Sequence, residues 1–398
     1  MKKILIIRMW ADELNIHKYN CQEIGLAKAF IRQGNLCDIV LYTDGNSREE
    51  DYFFDDNKKI HIYYLKAKKI LKNCLYERKL YNIILDYDIV QSAEYDQISN
   101  IKLYKILKQK LIIYHGPYES KYTKGYNLKC LFSDFIIRFN KNYKKIKCFA
   151  KSNLAKQFLN KKGFKDVTTL GVGLDFDRFN VDKNCNNLES RNVNYIEEDY
   201  KYLLYVGRIE KRRNILFLLK TLNECLKFNQ KIKLIIIGNG KKKYKNKCFK
   251  YIEKYNLKSN IIYYEEMTQF ELKKIYTTCD MFLLPTNYEI FGMVMLESMY
   301  FKLPIITTLN GGSSTLIENN RNGFICELDI KKWSTCILNS FKNNKLEEIK
   351  LNAYKTIINN YSWDKISQIY LKNKIGDKYE KSFWKNSKIL LSNYVFNN

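Results

Sequence analysis

Long apolar runs, paired cysteines and histidines are what this chain has little of. No apolar run is long enough to cross a bilayer. The eleven cysteines, an odd number, are scattered singly with no C-x-x-C pair. That argues against a disulfide framework or a zinc site and for a reducing compartment. Only three histidines occur, His17, His61 and His115, which argues against a histidine-based metal centre. No internal repeat of solenoid period is present. Acidic residues are in deficit, with 42 Asp and Glu against 69 Lys and Arg and a formal net charge of +27. Nucleic acid, an anionic membrane or phosphorylated substrates fit such a charge. So does codon usage rich in A and T, which raises Lys, Asn, Ile and Tyr together.

What the chain has is length and apolar content. Its 398 residues suit two domains better than one, and 46% hydrophobic residues make large cores attainable. The opening "MKKILIIRMWADE" has the basic start of a secretion signal. Its apolar part is short and broken by Arg8, and no small-residue cleavage site follows, so it reads as a first β-strand. "NCQEIGLAKAFIRQGN" places Ile24, Ala27 and Ile31 on one helical face, with Gly34 as the stop, and "CDIVLYT" is the next strand. That βαβ unit implies a parallel sheet. "HIYYL", "DIVQSA", "LIIYHG", "CFAKS" and "VTTLGVGL" continue the strands.

Residues 180–199 are polar, lack periodicity and read as a linker. The pattern then restarts with "YLLYVGR", "KIKLIIIGNG", "NIIYYEEM", "DMFLLPT" and "PIITT", separated by helices, and helical stretches dominate from about Ile330. The expected fold is α/β, with two doubly wound, Rossmann-like domains facing a central cleft. Residues 1–179 form the first domain and 200–377 the second, with a helix at about 378–398 returning to complete the first. Ligands of such sheets bind outside the carboxyl ends of the strands.

Candidate chemistry sits at those ends. In "YVGRIEKRRN", Gly207 closes a strand and Arg208, Lys211, Arg212 and Arg213 cluster before a helix, an arrangement suited to a diphosphate. The alternative is a solvated basic helix start, which opposes the helix dipole by roughly 0.3–1 kcal/mol per charge. Gly238 and Gly240 form a G-x-G after the next strand, a weak signal, because a tight turn needs glycine anyway. "PTNYEIFGMVMLES" sets Glu289 in a loop, with a helix expected to begin near Phe291 and Gly292 allowing close approach to the backbone. At 100° per residue, Glu297 returns to within about 80° of the direction of Glu289, two turns deeper. Carboxylates accept pairs of hydroxyl donors, as on a ribose or a hexose. The bland reading is a dipole-favouring carboxylate plus a half-buried glutamate. Gly311 and Gly312 precede a further helix start with free N–H donors.

The order G-R-(x4)-R, G-x-G, P-(x3)-E-x-F-G-(x4)-E, then G-G and N-G-F, resembles the C-terminal half of family 4 glycosyltransferases, which have the GT-B fold. The resemblance runs from about Tyr202 to Trp363. "KYNCQEIGLAKAF", "YHGPY", "AKSNLAKQFL" and "GVGLDFDRF" extend it loosely into the first half. It implies that Glu289 contacts the donor sugar and Glu297 the ribose, that Arg208 and Arg213 hold the diphosphate, that Phe291 and Gly292 offer N–H groups, and that His115 faces the sugar. Two departures stand out. "MWADELNIHKYN" replaces the glycine-rich loop after the first strand, which bears on acceptor contacts, and Thr315 stands where Glu is common.

The expected activity is therefore retaining transfer of a sugar from a UDP- or GDP-linked donor to a glycan or lipid-linked acceptor, in surface polysaccharide or glycolipid assembly. No cofactor or metal is expected, since no Asp-x-Asp element is placed for a divalent ion and the arginines can stabilise the departing diphosphate. A nucleotide-sugar epimerase, a sugar phosphorylase and a non-enzymatic basic binder of membrane or nucleic acid are the alternatives. Nucleic acid is not the expected partner. The protein is expected in the cytoplasm. Two stretches, "LKAKKILKNCLYERKLYNIIL" and "IIRFNKNYKKIKCF", would carry basic and aromatic groups along helices and favour peripheral association with an anionic membrane surface.

Overall fold

The computed structural model describes residues 1–16, 21–55, 57–70, 73–179, 197 and 199–375. The first unit runs β1 (Lys3–Ile7), α1 (Gln22–Arg32), β2 (Leu36–Tyr42), β3 (Arg48–Phe54), β4 (Lys58–Leu65), β5 (Ala67–Ile70), β6 (Asn73–Tyr76), α2 (Lys79–Ile83), β7 (Ile89–Ala93), α3 (Ser99–Leu107), β8 (Leu111–His115), α4 (Lys124–Ile137), β9 (Lys147–Ala150), α5 (Asn153–Lys161) and β10 (Val167–Thr169). Its sheet has the order β10-β9-β8-β7-β1-β2-β4-β3. All pairs are parallel except β3 with β4. β1 is apolar on both faces because helices cover both sides of a parallel sheet, and Ile4 to Ile7 are all buried.

The second unit contains β11 (Lys201–Val206), α6 (Ile215–Leu226), β12 (Ile232–Ile237), α7 (Lys242–Lys254), β13 (Ile261–Tyr264), α8 (Gln269–Thr278), β14 (Met281–Leu284), α9 (Met293–Tyr300), β15 (Ile305–Thr307), α10 (Ser313–Leu316), β16 (Phe324–Ile325), α11 (Ile330–Phe341), α12 (Leu346–Asn360) and α13 (Trp363–Ile375). Its sheet, β13-β12-β11-β14-β15-β16, is parallel throughout. The parallel strands of each sheet reverse their order once, between β1 and β7 and between β11 and β14. Ligand crevices of such sheets lie at those points. These are the two Rossmann-like domains expected.

The last described helix belongs to the first domain by packing. α13, which the sequence reading put inside 200–377, lies along α1. Trp363 covers Gly25 and Gly173 so closely that a Cβ on either glycine would fall within 2.5 Å of the indole. Tyr370 meets Phe30 edge to face and Phe149 at a tilt, and Leu174 N donates to Tyr361 O at 2.7 Å. This second cover explains why α1 buries Ile24, Gly25, Leu26, Ala27, Ala29 and Phe30, far more than one face, while Ile31 is only half-buried. The helix expected at about 378–398 and residues 180–196 and 198 of the expected linker lie outside the described residues.

Two expectations need correction. "LKAKKILKNCLYERKLYNIIL" is mostly not helical: β5 and β6 pair as an antiparallel hairpin, and only the short α2 follows. "IIRFNKNYKKIKCF" is the end of α4, a 3₁₀ turn over Lys141–Lys145 and then β9. In both, β-branched and aromatic residues beside lysine suit strand or helix alike, and sheet pairing decided. Among the described residues no helix is long and apolar enough to cross a membrane, and the ten cysteines there are free.

Candidate active site

Four backbone turns meet at the carboxyl ends of β11, β12, β14 and β15. Gly207 N donates to Ile237 O and Ile209 N to Asn239 O, each at 2.9 Å. This stitching explains the G-x-G. A Cβ on Gly238 would lie 2.0 Å from Gly207 O, and one on Gly240 1.9 Å from Ile209 O. The pair Gly311 and Gly312 is explained the same way, with added Cβ atoms 2.0 Å from Ile290 O and 1.8 Å from Phe291 O. These four glycines, read from sequence as ligand-binding, are required first by the close approach of the protein's own backbone.

Within this frame the cations divide. Arg208 and Lys211 are exposed, and among the described residues neither has an ion-pair partner. Arg212 is held by Glu210 at 2.7 Å and by Tyr288 O. Arg213 pairs with Glu289, and Arg212 also approaches that carboxylate at 3.8 Å. Arg213 therefore does not stand free, while its Nε is buried with no hydrogen-bond partner. Between β14 and α9, Thr286 Oγ1 donates to Tyr288 O at 2.9 Å, and Asn287 N donates to Arg212 O at 2.9 Å. Those bonds fix the loop that carries Glu289.

α9 starts at Met293, two residues later than expected, with Gly292 as N-cap at φ 82°. Phe291 turns its side chain into the core beside Tyr361. Glu297, 5% exposed, accepts a hydrogen bond from Tyr276 Oη at 2.9 Å. Burial pushes its carboxyl up to about 7, against the opposing pull of the Tyr276 hydroxyl.

The first domain meets this site from the ends of β7 and β8. His115 is fully buried, and its Nδ1 lies 2.7 Å from Glu94 Oε2. A carboxylate only accepts, so the proton sits on Nδ1, and Nε2 is buried without a partner. Glu94 adopts the left-handed conformation, φ 57°, and accepts from Gly116 N at 3.2 Å. Burial opposes its charge, but His115, Lys151 and the Gly116 N–H outweigh that and hold it below the usual carboxylate range. Ligand atoms of Glu94, Asp96 and His115 lie within 4.8 Å of one another. Each acid there already faces a nitrogen base, since Lys129 Nζ is 2.5 Å from Asp96. The group reads as a buried charge-paired network.

Tyr118 joins the two halves. Its hydroxyl donates to Glu289 O and accepts from Gly311 N, both at 3.1 Å, and its N–H donates to Tyr288 Oη at 3.2 Å. Thr315 has an interdomain role: its Oγ1 accepts from Asn153 N at 2.9 Å. In the loop after β1, Arg8 bridges Asp12 at 3.2 Å and Glu23 at 3.4 Å. Sequence reasoning missed Glu94, Tyr118 and Tyr276 as parts of the site. Tyr118 lies in the quoted "YHGPY", but nothing local tells which strand end Glu94 shares or which glutamate Tyr276 meets.

Comparison with known proteins gives these features a context. Residues 186–356 match the family model of glycosyl transferases group 1. An uncharacterized glycosyltransferase of Methanocaldococcus jannaschii is 27% identical over 178 residues, 44% of this chain and 44% of that protein. The capsular polysaccharide biosynthesis glycosyltransferase CapM of Staphylococcus aureus is 27% identical over 229 residues, 55% of this chain and 57% of the other. The chain thus spans about half the length of the curated relatives it matches. Among solved structures, Anabaena HepE in complex with UDP superposes with a TM-score of 0.67 at 15% identity, over 93% of this chain and 98% of that one. The architecture is the GT-B fold, and the residues that match the family model run from the expected linker into its second domain.

Proposed function

We propose that the protein is a retaining glycosyltransferase. It moves a sugar from a UDP- or GDP-linked donor to a glycan or lipid-linked acceptor in surface polysaccharide or glycolipid assembly. One observation carries this reading. The switch point of the second sheet gathers two exposed cations without ion-pair partners, Arg208 and Lys211, beside a carboxylate, Glu289, already oriented by Arg213. The family match over 186–356 and the likeness to a UDP-bound structure support it.

In this reading the donor diphosphate lies on Arg208 and Lys211, with Arg213 Nε as a further donor and the N-terminus of α9 adding its dipole. Glu289 accepts hydrogen bonds from sugar hydroxyls, and Glu297 accepts from the ribose. His115 Nε2, fixed by Glu94 on the other ring nitrogen, faces the sugar from the first domain. As the bond from the anomeric carbon to the diphosphate oxygen breaks, negative charge grows on the leaving group and positive charge on the ring. Preorganised cations stabilise the former without reorganising.

The test is turnover of UDP- and GDP-sugars with product mass and anomeric configuration read directly. Those products separate a transferase from an epimerase or a phosphorylase. Glu289→Gln keeps the fold and loses most turnover, and near-parental activity in that variant refutes the assignment. A chelator leaves turnover unchanged, because the arginines and lysine supply the positive charge. An absolute need for added Mg or Mn overturns that part.

A further inference from the structure

α4 is apolar on both sides. Its inner side sets Cys130 and Ile137 in the core, with Tyr126 packed against it, and also carries polar groups engaged with the domain: Asp134 accepts from Tyr95 Oη at 3.2 Å and pairs with Lys162 at 2.6 Å, while Lys129 pairs with Asp96 at 2.5 Å. Ser133 donates to Asp96 O at 3.2 Å. The outer side carries Leu128, Leu131, Phe132 and Phe135, followed by Phe139, all between 50 and 77% exposed. At 100° per residue these five fall within roughly 100° of the helix circumference. Six of the nineteen exposed large hydrophobics among the described residues lie in this one segment, counting Tyr122. Hydrophobic residues scattered singly on a surface need no explanation, but a contiguous stripe does.

The stripe is framed by positive charge. Lys124 and Arg138 are exposed at the two ends of α4, Lys121 and Lys145 are exposed in the chain before and after it, and Glu119 is the one exposed acid between 119 and 145. By helical angle, Lys124 continues the stripe at its start and Arg138 borders it. Apolar and aromatic residues on one face with basic residues at its margin are the signature of a helix lying in a lipid headgroup layer.

We infer that the outer face of α4 docks on a membrane surface containing anionic lipid. Charge chooses this occupant over a second copy of the chain. Two such faces would bring Lys124 and Arg138 of both copies together, on a protein whose net charge is +27. An anionic headgroup layer attracts them instead, and the attraction decays over about 8 Å at physiological ionic strength. The inference is independent of the donor-side reading.

The full chain is sedimented with vesicles of phosphatidylcholine alone and of phosphatidylcholine mixed equally with phosphatidylglycerol. Binding is expected on the mixed vesicles, weakening steeply with salt. The double variant Phe135→Ser/Phe139→Ser should lower partitioning by roughly tenfold or more. Lys124→Glu/Arg138→Glu should act on the mixed vesicles in the same direction. Every substituted side chain is exposed, so the variants should melt with the parent protein. Unchanged partitioning in both variants overturns the inference. A dimer dispersed by the serine variant, without vesicle binding, assigns the face to a second copy. Loss of melting temperature in that variant, without vesicle binding, assigns it to another segment of the same chain.

Discussion

Replacing Glu297 by glutamine tests the buried carboxylate without disturbing its shape. The amide oxygen can still accept the Tyr276 hydroxyl, so the substitution removes only the titration. In the unfolded chain this carboxyl releases its proton near 4.5, and in the folded protein only near about 7. Between those values the folded state holds a proton that the unfolded chain has lost, so raising the pH favours unfolding. The stability tied to this proton is fully present below about 4.5 and is lost as the pH rises through about 7. At about 1.4 kcal/mol per pH decade the full effect is about 3 kcal/mol, of which about 2–3 kcal/mol falls between roughly pH 5 and 8.5. Urea unfolding of both proteins across that range, followed by a probe in the second domain, measures the difference of differences. The parent protein should lose about 2–3 kcal/mol more than Glu297→Gln on going to the higher pH. Parallel pH curves would refute the argument. The same carboxyl reports on the proposed ligand. Ribose hydroxyls donating to it favour the charged form, so nucleoside diphosphate binding near neutral pH should release protons. Calorimetry in two buffers of different ionisation enthalpy detects that release.

Arg208→Ala should weaken nucleoside diphosphate binding by about 1.5–3 kcal/mol, the worth of one charge-assisted contact, with no change in melting temperature. Unchanged affinity by calorimetry would remove Arg208 from the phosphate site. Arg213→Ala should differ by also lowering stability, by about 3 kcal/mol, because it leaves the largely buried Glu289 with Arg212, 3.8 Å away, as its remaining cation. Equal melting temperatures for the parent and Arg213→Ala would show that the pair contributes nothing. Gly312→Ala should destabilise by more than about 2 kcal/mol, since the added methyl meets Phe291 O at 1.8 Å. A variant that melts like the parent would mean the two loops can part freely.

The alternation of apolar runs with amphipathic stretches determined two doubly wound domains, because each parallel strand must be buried on both faces and each crossover helix on one. The same logic put Gly207, Arg208 and Glu289 at strand ends, the positions from which a parallel sheet presents chemistry. What no local pattern could show is pairing across distance. The sequence treats Arg213 as a free cation and Glu297 as an open carboxylate, and only the packing of β11 beside β14, and of α8 against α9, joins them to Glu289 and Tyr276. The glycines of the G-x-G and G-G turns look alike whether a ligand or a backbone lies above them. Tertiary structure decided for the backbone, at distances that leave no room for a side chain. Helix periodicity finds an apolar stripe but not the side on which the protein lies. α4 docks by Cys130, Ile137 and the ion pairs of Asp134 and Lys129, and that choice of side leaves Leu128, Leu131, Phe132 and Phe135 facing out.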